Sequence, residues 1–281
     1  MEQAREALTR LHSAEALRLL NLGKEDRVVL DVAAAQELQR VHASDKDYKV
    51  LATDFAEAMV AACRTEAHDQ GLSDIVECKQ MDGEVTGIPS FFRRVMFTNL
   101  ISLLFQDMSS LRDESVDAIG CVFGVMFFPD VVKSFREMLR VLRPGGRAVI
   151  VVWKKVATLR LMQEIAQRLR AAFPQTSATE AADEAQSEAT ARMVYRLGDP
   201  DELTRQLNAA GFTNDQIVSM SPFEAEWTGI EPTDEVVGMM LDKPGVKASY
   251  APERDQAAAI VKEWFQTATW DNISLIALLK K

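Results

Sequence analysis

Val131-Val-Lys-Ser-Phe-Arg-Glu-Met-Leu-Arg-Val-Leu-Arg-Pro-Gly-Gly-Arg-Ala-Val-Ile-Val-Val-Trp153 holds a helix, a turn and a strand in one run. Val132, Phe135, Met138, Leu139 and Leu142 recur at helical spacing, so Val131 to Leu142 predicts an amphipathic helix. Arg143-Pro-Gly-Gly146 breaks it, because proline cannot continue a helix and glycine accepts the positive φ of a tight turn. Arg147 to Trp153 then reads as a strand buried on both faces, since its apolar β-branched residues do not alternate with polar ones.

Outward from this unit the same alternation repeats. Val28 to Val32, Tyr48 to Thr53, Ile75 to Gln80 and Asp117 to Phe123 are short strand-like runs, and Phe55 to Asp69 is a helical pattern stopped by Gly71. Five strands separated by helices imply an α/β chain: an open, mostly parallel sheet with helices on both faces and right-handed crossovers. Past Trp153, Leu159 to Ala172 is helical and 174–190 is rich in Ala, Ser, Thr, Glu and Gln. Leu197 to Ala210 is a helix entered through Gly198-Asp-Pro200, with Asp199 as N-cap, and ended by Gly211. Ile217 to Met220 and Ile273 to Leu279 predict two late strands with helices between Pro232 and Thr267. The expected organisation is one domain over 1–281, with an N-terminal helical cap (1–27) and a lid-like helical segment (155–196).

Composition narrows the chemistry. The 281 residues carry 32 basic and 42 acidic side chains, a net charge of −10, which argues against nucleic acid as a partner and for a small molecule. Cys63, Cys78 and Cys121 make no metal-binding pair and are odd in number, so neither zinc nor a disulfide is expected. The N-terminal helix pattern lacks a signal-peptide core, and the expected setting is cytoplasmic, without a membrane span. His12, His42 and His68 fall in helical or loop contexts and read as surface residues. Asp113, Glu114 and Asp117 read as a solvated loop leading into the fourth strand.

Ligands of open parallel sheets bind beyond the carboxyl ends of the strands, where strand order reverses. That rule singles out Asp31 to Ala34, Asp54-Phe55, Asp82-Gly83 and Phe123 to Phe128. Asp54 follows Asp31 at close to the spacing of about 20 residues at which nucleoside-binding folds place a ribose-binding carboxylate. The same residue also suits the N-cap of the next helix. Met126, Phe128 and Trp153 are candidates for an acceptor pocket, with core packing as the competing role. Trp227, Trp264 and Trp270 read as core or lid packing.

Asp113-Glu-Ser-Val-Asp-Ala-Ile-Gly-Cys-Val-Phe-Gly-Val-Met-Phe-Phe-Pro-Asp130 and Arg136 to Ile150 resemble the fourth-strand and fifth-strand regions of class I S-adenosylmethionine-dependent methyltransferases of the ubiquinone/menaquinone-biosynthesis type. Val29 to Val32, Ala52 to Met59 and Ala209 to Phe212 extend the likeness over most of 28–281. The resemblance implies a Rossmann-like seven-stranded sheet whose last strand is antiparallel, S-adenosyl-L-methionine as cofactor and a small-molecule methyl acceptor. It implies that Asp31 and Ala33 lie under the methionine part, Asp54 on the ribose and Phe55 against adenine. It further implies Asp82 and Gly83 at the adenine edge and Phe123, Gly124 and Val125 along the methionyl side, with no catalytic residue assigned.

Two departures bear on activity. The family's glycine-rich loop, Asp-x-x-x-Gly-x-Gly, is here Asp31-Val-Ala-Ala-Ala-Gln-Glu-Leu38. Each alanine forced left-handed costs roughly 1 to 2 kcal/mol, and two would weaken cofactor binding on the order of a hundredfold. The segment 84–105 reads as an insertion beside the adenine pocket: a lid, a surface or partner helix, or translated non-coding sequence, the last favoured because an apolar segment there exposes a sticky patch. The leading expectation is therefore a methyltransferase, and the alternative a catalytically impaired relative that binds without transferring methyl. A nicotinamide enzyme ranks third, as no G-x-G-x-x-G opens the first helix.

Overall fold

In the computed structural model, the described residues are 2–32, 49–54, 57–80, 108–172, 189–226, 233–241, 254–267 and 271–281. They form strands β1 (Val28–Val32), β2 (Lys49–Asp54), β3 (Val76–Gln80), β4 (Val116–Val122), β5 (Leu142–Lys155), β6 (Ile217–Glu226) and β7 (Asp271–Lys280). The helices are α1 (Glu2–Leu20), α2 (Glu57–Asp69), α3 (Val131–Val141), α4 (Ala157–Ala172), α5 (Pro200–Ala210), α6 (Asp234–Leu241) and α7 (Arg254–Thr267). The seven strands make one sheet in the order β3-β2-β1-β4-β5-β7-β6. Pairing is parallel from β3 to β5, while β7 runs antiparallel to both β5 and β6.

Alternation along the buried strands sends neighbouring residues to opposite faces. Val29, Val149, Val151 and Ile276 pack with Ala16 and Leu20 of α1 and Val60 of α2. Leu30, Ile150, Val152 and Leu275 pack with Phe135 and Met138 of α3 and Leu203 and Leu207 of α5. In α3 the inward face is Val131, Ser134, Phe135, Met138 and Val141, so the stripe is rotated from the expected one and Val132 and Leu139 sit at its margin. Asp130 caps this helix by accepting from the Lys133 N–H at 2.8 Å. Asp199 caps α5 through the Asp201 and Glu202 N–H groups, with Pro200 in the first turn and Gly211 left-handed at φ 109° after its end.

The Pro-Gly-Gly turn is a bulge within one long strand. Leu142 pairs with Val116, and pairing resumes with Arg147 opposite Ala118. Gly145 has φ +80°, a conformation strained for any residue with a Cβ, and a Cβ on Gly146 would lie 2.9 Å from the Arg143 carbonyl oxygen. The Lys281 carbonyl accepts from the Gly145 N–H at 2.8 Å, which ties β7 back to this bulge.

Three expectations are corrected. Asp117 is 4% exposed: its Oδ2 accepts the Arg27 and Val28 N–H groups at 2.8 and 2.6 Å, and its Oδ1 pairs with Arg143. It is an anchor between the starts of β1, β4 and the β5 bulge, whereas Asp113 and Glu114 are exposed as expected. Cys63 of α2 and Cys78 of β3 form a disulfide with Cα atoms 6.3 Å apart, because the helix packs its Cys63 face on the strand beside it. His12 is fully buried, since the whole face of α1 that carries it lies against the sheet, while His68 is exposed. The loop Ala33 to Leu38, the segment 84–105, His42, Trp227 and Trp270 lie outside the described residues.

Candidate functional site

Strand order reverses between β1 and β4, both of which end at one edge of the sheet. Asp31 stands there fully buried, paired in register with Ala52, which carries only a methyl, and with Gly120, which carries no side chain. Thr53 Oγ1 donates to the Asp31 carbonyl at 2.9 Å, locking the ends of β1 and β2 together. Asp54 ends β2 as expected, opposite Gln80 of β3. Ala33, Phe55, Asp82 and Gly83 lie outside the described residues. Cys121 on the neighbouring strand is an inert thiol: burial, and then the Asp31 charge, push it up to about 12.

Beyond β4 the chain turns sharply. Phe123 leaves the strand with φ 55°, its N–H still donating to the Val151 carbonyl at 2.9 Å. Gly124 begins a 3-10 turn over Val125–Phe127. Val125, Met126 and Phe128 are fully buried in the core beneath α3, the packing that competes with an acceptor-pocket role for Met126 and Phe128. Arg196 holds this turn from outside, donating from Nη2 to the carbonyls of Val125 and Phe128. Desolvation lowers the pKa of that guanidinium. A cavity of about 340 Å³ opens next to it, lined by Asp130, Arg196, Glu202 and Gln206 among others.

On the other face lies a group that the sequence reading did not assemble. The Phe123 ring stacks on Trp153 at 3.6 Å with 6° between planes. His12 meets Phe123, Trp153 and Phe223 edge-on, at centroid distances of 5.6, 5.1 and 5.2 Å. Its Nδ1 shares a hydrogen bond with Ser274 Oγ at 2.8 Å. Trp153, Ser274 and Phe223 stand side by side because β5, β7 and β6 pair antiparallel at those positions. Burial lowers the His12 pKa from 6.5 to about 4, which keeps the imidazole neutral. One sequence signal pointed to His12: it precedes Ala16 and Leu20 at spacings of four on one helix face.

The lid-like segment starts where β5 ends. Asn272 Oδ1 accepts the Ala157 N–H at 2.9 Å, and the Tyr195 hydroxyl accepts the Val156 N–H at 3.1 Å. Gly198 passes so close to Trp153 that a Cβ would lie 2.5 Å from its carbonyl oxygen. Trp264 of α7 is buried and donates to Glu164 of α4, in the packing role expected for it. Among the described residues, no helix is long and apolar enough to cross a membrane.

A methyltransferase-domain model matches residues 30–150, and the model of the ubiE/COQ5 methyltransferase family matches 98–222. The demethylmenaquinone methyltransferase of Mycobacterium sp. (strain KMS) is 25% identical over 199 residues, covering 71% of this chain and 73% of that protein. The ubiquinone/menaquinone biosynthesis C-methyltransferase UbiE of Idiomarina loihiensis is 27% identical over 190 residues, covering 66% and 65%. Among solved structures, a methyltransferase-like protein of Bacillus halodurans C-125 shares the fold with a TM-score of 0.54 at 15% identity, over 95% of this chain and 97% of that one. The [4+2]-cyclase SpnF shares it at 0.51 and 18% identity, over 97% and 80%. Strand order and the unit built around the Pro-Gly-Gly bulge give the chain the Rossmann-like fold of class I S-adenosylmethionine-dependent methyltransferases, and its sequence is similar to those of the ubiquinone/menaquinone-biosynthesis type.

Proposed function

We propose that this protein transfers a methyl group from S-adenosylmethionine to a small-molecule acceptor. The observation that carries the reading is the strand reversal between β1 and β4, with buried Asp31 on one side of it and Phe123-Gly124 on the other. The described residues fit such a cofactor: a carboxylate and aromatic rings suit its ammonium and sulfonium charges, and Gly124 leaves backbone free of a Cβ. Asp31 and Ala33 would hold the methionine part, Asp54 the ribose, Phe55, Asp82 and Gly83 the adenine, and Phe123 to Val125 the methionyl side.

The cofactor supplies an electrophilic methyl on a sulfonium, displaced in line. The chain's part is to orient and to exclude water: positive charge is lost on transfer, so a dry site that aligns the nucleophile supplies much of the effect. Trp153, Phe123 and Phe223 furnish apolar walls at the ends of the strands, and the proposed lid over the acceptor is α4 with 189–197, which follows β5 in the chain. The quinone-related names of the curated relatives favour a ring-bearing acceptor.

Calorimetric titration with S-adenosylmethionine and S-adenosylhomocysteine, beside Asp54→Ala, tests this reading. Micromolar binding that Asp54→Ala abolishes is the expected result. A folded chain that binds neither compound would overturn it, leaving the non-catalytic alternative in which the alanine loop has closed the site.

A further inference from the structure

His12 is a fully buried imidazole with only one of its two nitrogens matched. Nδ1 is engaged by Ser274, whereas Nε2 has no hydrogen-bond partner among the described residues. Buried polar atoms are matched in the great majority of cases, so an unmatched one asks for an occupant. The walls around it are Phe123, Trp153 and Phe223. An anion brought among these rings would lose its water without gaining a counter-charge, so they exclude a carboxylate, and the unmatched nitrogen favours a neutral hydrogen-bonding guest.

Phe123 is the second observation. The described non-glycine residues at positive φ are Asn21, Glu114 and Phe123, and for a bulky aromatic this conformation is an outlier that persists only when its surroundings enforce it. Here the N–H bond to Val151 holds the backbone and the stack on Trp153 holds the ring, edge-on against His12. Relaxation to negative φ would carry the ring away from both, with Gly124 next in the chain to absorb the turn. Phe123 is also half-buried, whereas His12 and Trp153 are buried, so of the three rings its own is the one that solvent reaches.

We propose that His12 Nε2 is the hydrogen-bonding partner of an uncharged hydroxyl on the methyl acceptor, and that the Phe123 ring is the gate over it. The inference rests on the methyltransferase reading for the identity of the guest. The gate lies beside Val125 and the β1–β4 reversal, the end of the sheet at which the methyl is to be delivered. With Ser274 accepting from Nδ1–H, Nε2 presents a lone pair to the hydroxyl and fixes the acceptor's orientation.

The test uses the full chain saturated with S-adenosylhomocysteine and three probes: 1-naphthol, naphthalene and 1-naphthoate. Nitrogen-15 spectra of the imidazoles, with His12 assigned by its loss in His12→Phe, should show the His12 Nε2 resonance moving with 1-naphthol alone. Binding of 1-naphthol should exceed that of naphthalene by about tenfold, about 1.4 kcal/mol, and 1-naphthoate should bind least. In His12→Phe, which keeps a ring in the box, the naphthol advantage should vanish while S-adenosylhomocysteine affinity is retained. Phe123→Gly, which accepts positive φ and removes the gate, should speed 1-naphthol association.

An unmoved Nε2 resonance, a naphthol advantage that survives His12→Phe, or failure of all three probes to bind overturns the role of His12. An unchanged association rate in Phe123→Gly overturns the gate. If S-adenosylhomocysteine does not bind but 1-naphthol still moves Nε2, the methyltransferase reading fails and the hydroxyl site stands.

Discussion

His12 is held neutral by burial, and the described groups packed on it, Ser274, Phe123, Trp153 and Phe223, carry no charge. Its pKa falls from 6.5 to about 4 on folding, so between those values the unfolded chain binds the extra proton. Stability is therefore complete above pH 6.5 and is lost as pH drops towards 4, by about 3 kcal/mol from this group. Urea unfolding at pH 7 and pH 4.5 should show that loss, and His12→Phe should remove most of it. Asp117 answers a different question, since it secures two backbone N–H groups and Arg143 with one side chain. Asp117→Ala leaves those donors unmatched and should cost about 3 kcal/mol, read as a lower urea midpoint; a loss under about 0.5 kcal/mol would refute the anchoring role. The burial of Asp117 was not legible in the sequence, and that of His12 only through its spacing of four from Ala16 and Leu20. A histidine on a helix and an aspartate before a strand look alike whether exposed or covered, and what covers them arrives from β6, β7 and the start of β1, far along the chain.

At the scale of single elements the sequence spoke more plainly. The central strands β4 and β5 are apolar on both faces and the helices carry their stripes locally, so the elements around Gly71, Gly145 and Gly211 could be read without knowing their neighbours. Asp199 and Pro200 begin α5 where the pattern of residues said they should, because capping is decided within four residues. Asp199→Ala should therefore cost about 1 kcal/mol and Asp199→Asn very little, by thermal unfolding. Gly198→Ala, one position earlier, should be harsher, as its Cβ meets the Trp153 carbonyl rather than solvent. That clash also displaces Trp153 from Phe123, so naphthol binding should weaken together with stability; an unaffected affinity would separate the two. The candidate site was legible only as a set of strand ends. For Met126 and Phe128 the sequence left two roles open, because a hydrophobic run looks the same whether it lines a pocket or lies under α3.

Across the whole molecule, the Cys63–Cys78 disulfide joins α2 to β3, the strand at one edge of the sheet. A bridge closing a loop of this length stabilises by about 3 kcal/mol. Adding dithiothreitol should lower the unfolding midpoint of the native chain and leave that of Cys63→Ser unchanged. Equal midpoints for the native chain with and without reductant would show that the bridge contributes nothing. The opposite half of the sheet is joined differently, by β7 lying between β5 and β6 with its end tied into the Pro-Gly-Gly bulge. That placement has a consequence in time. A ribosome finishes Lys155 long before it reaches Asp271, and at about 10 residues per second the wait is on the order of ten seconds. Throughout it, β5 offers a long apolar edge with no partner, the kind of surface that recruits another chain. The nascent protein is thus most exposed to aggregation when its most strand-like segment has already emerged, and faster translation of the stretch between β5 and β7 should raise its soluble yield.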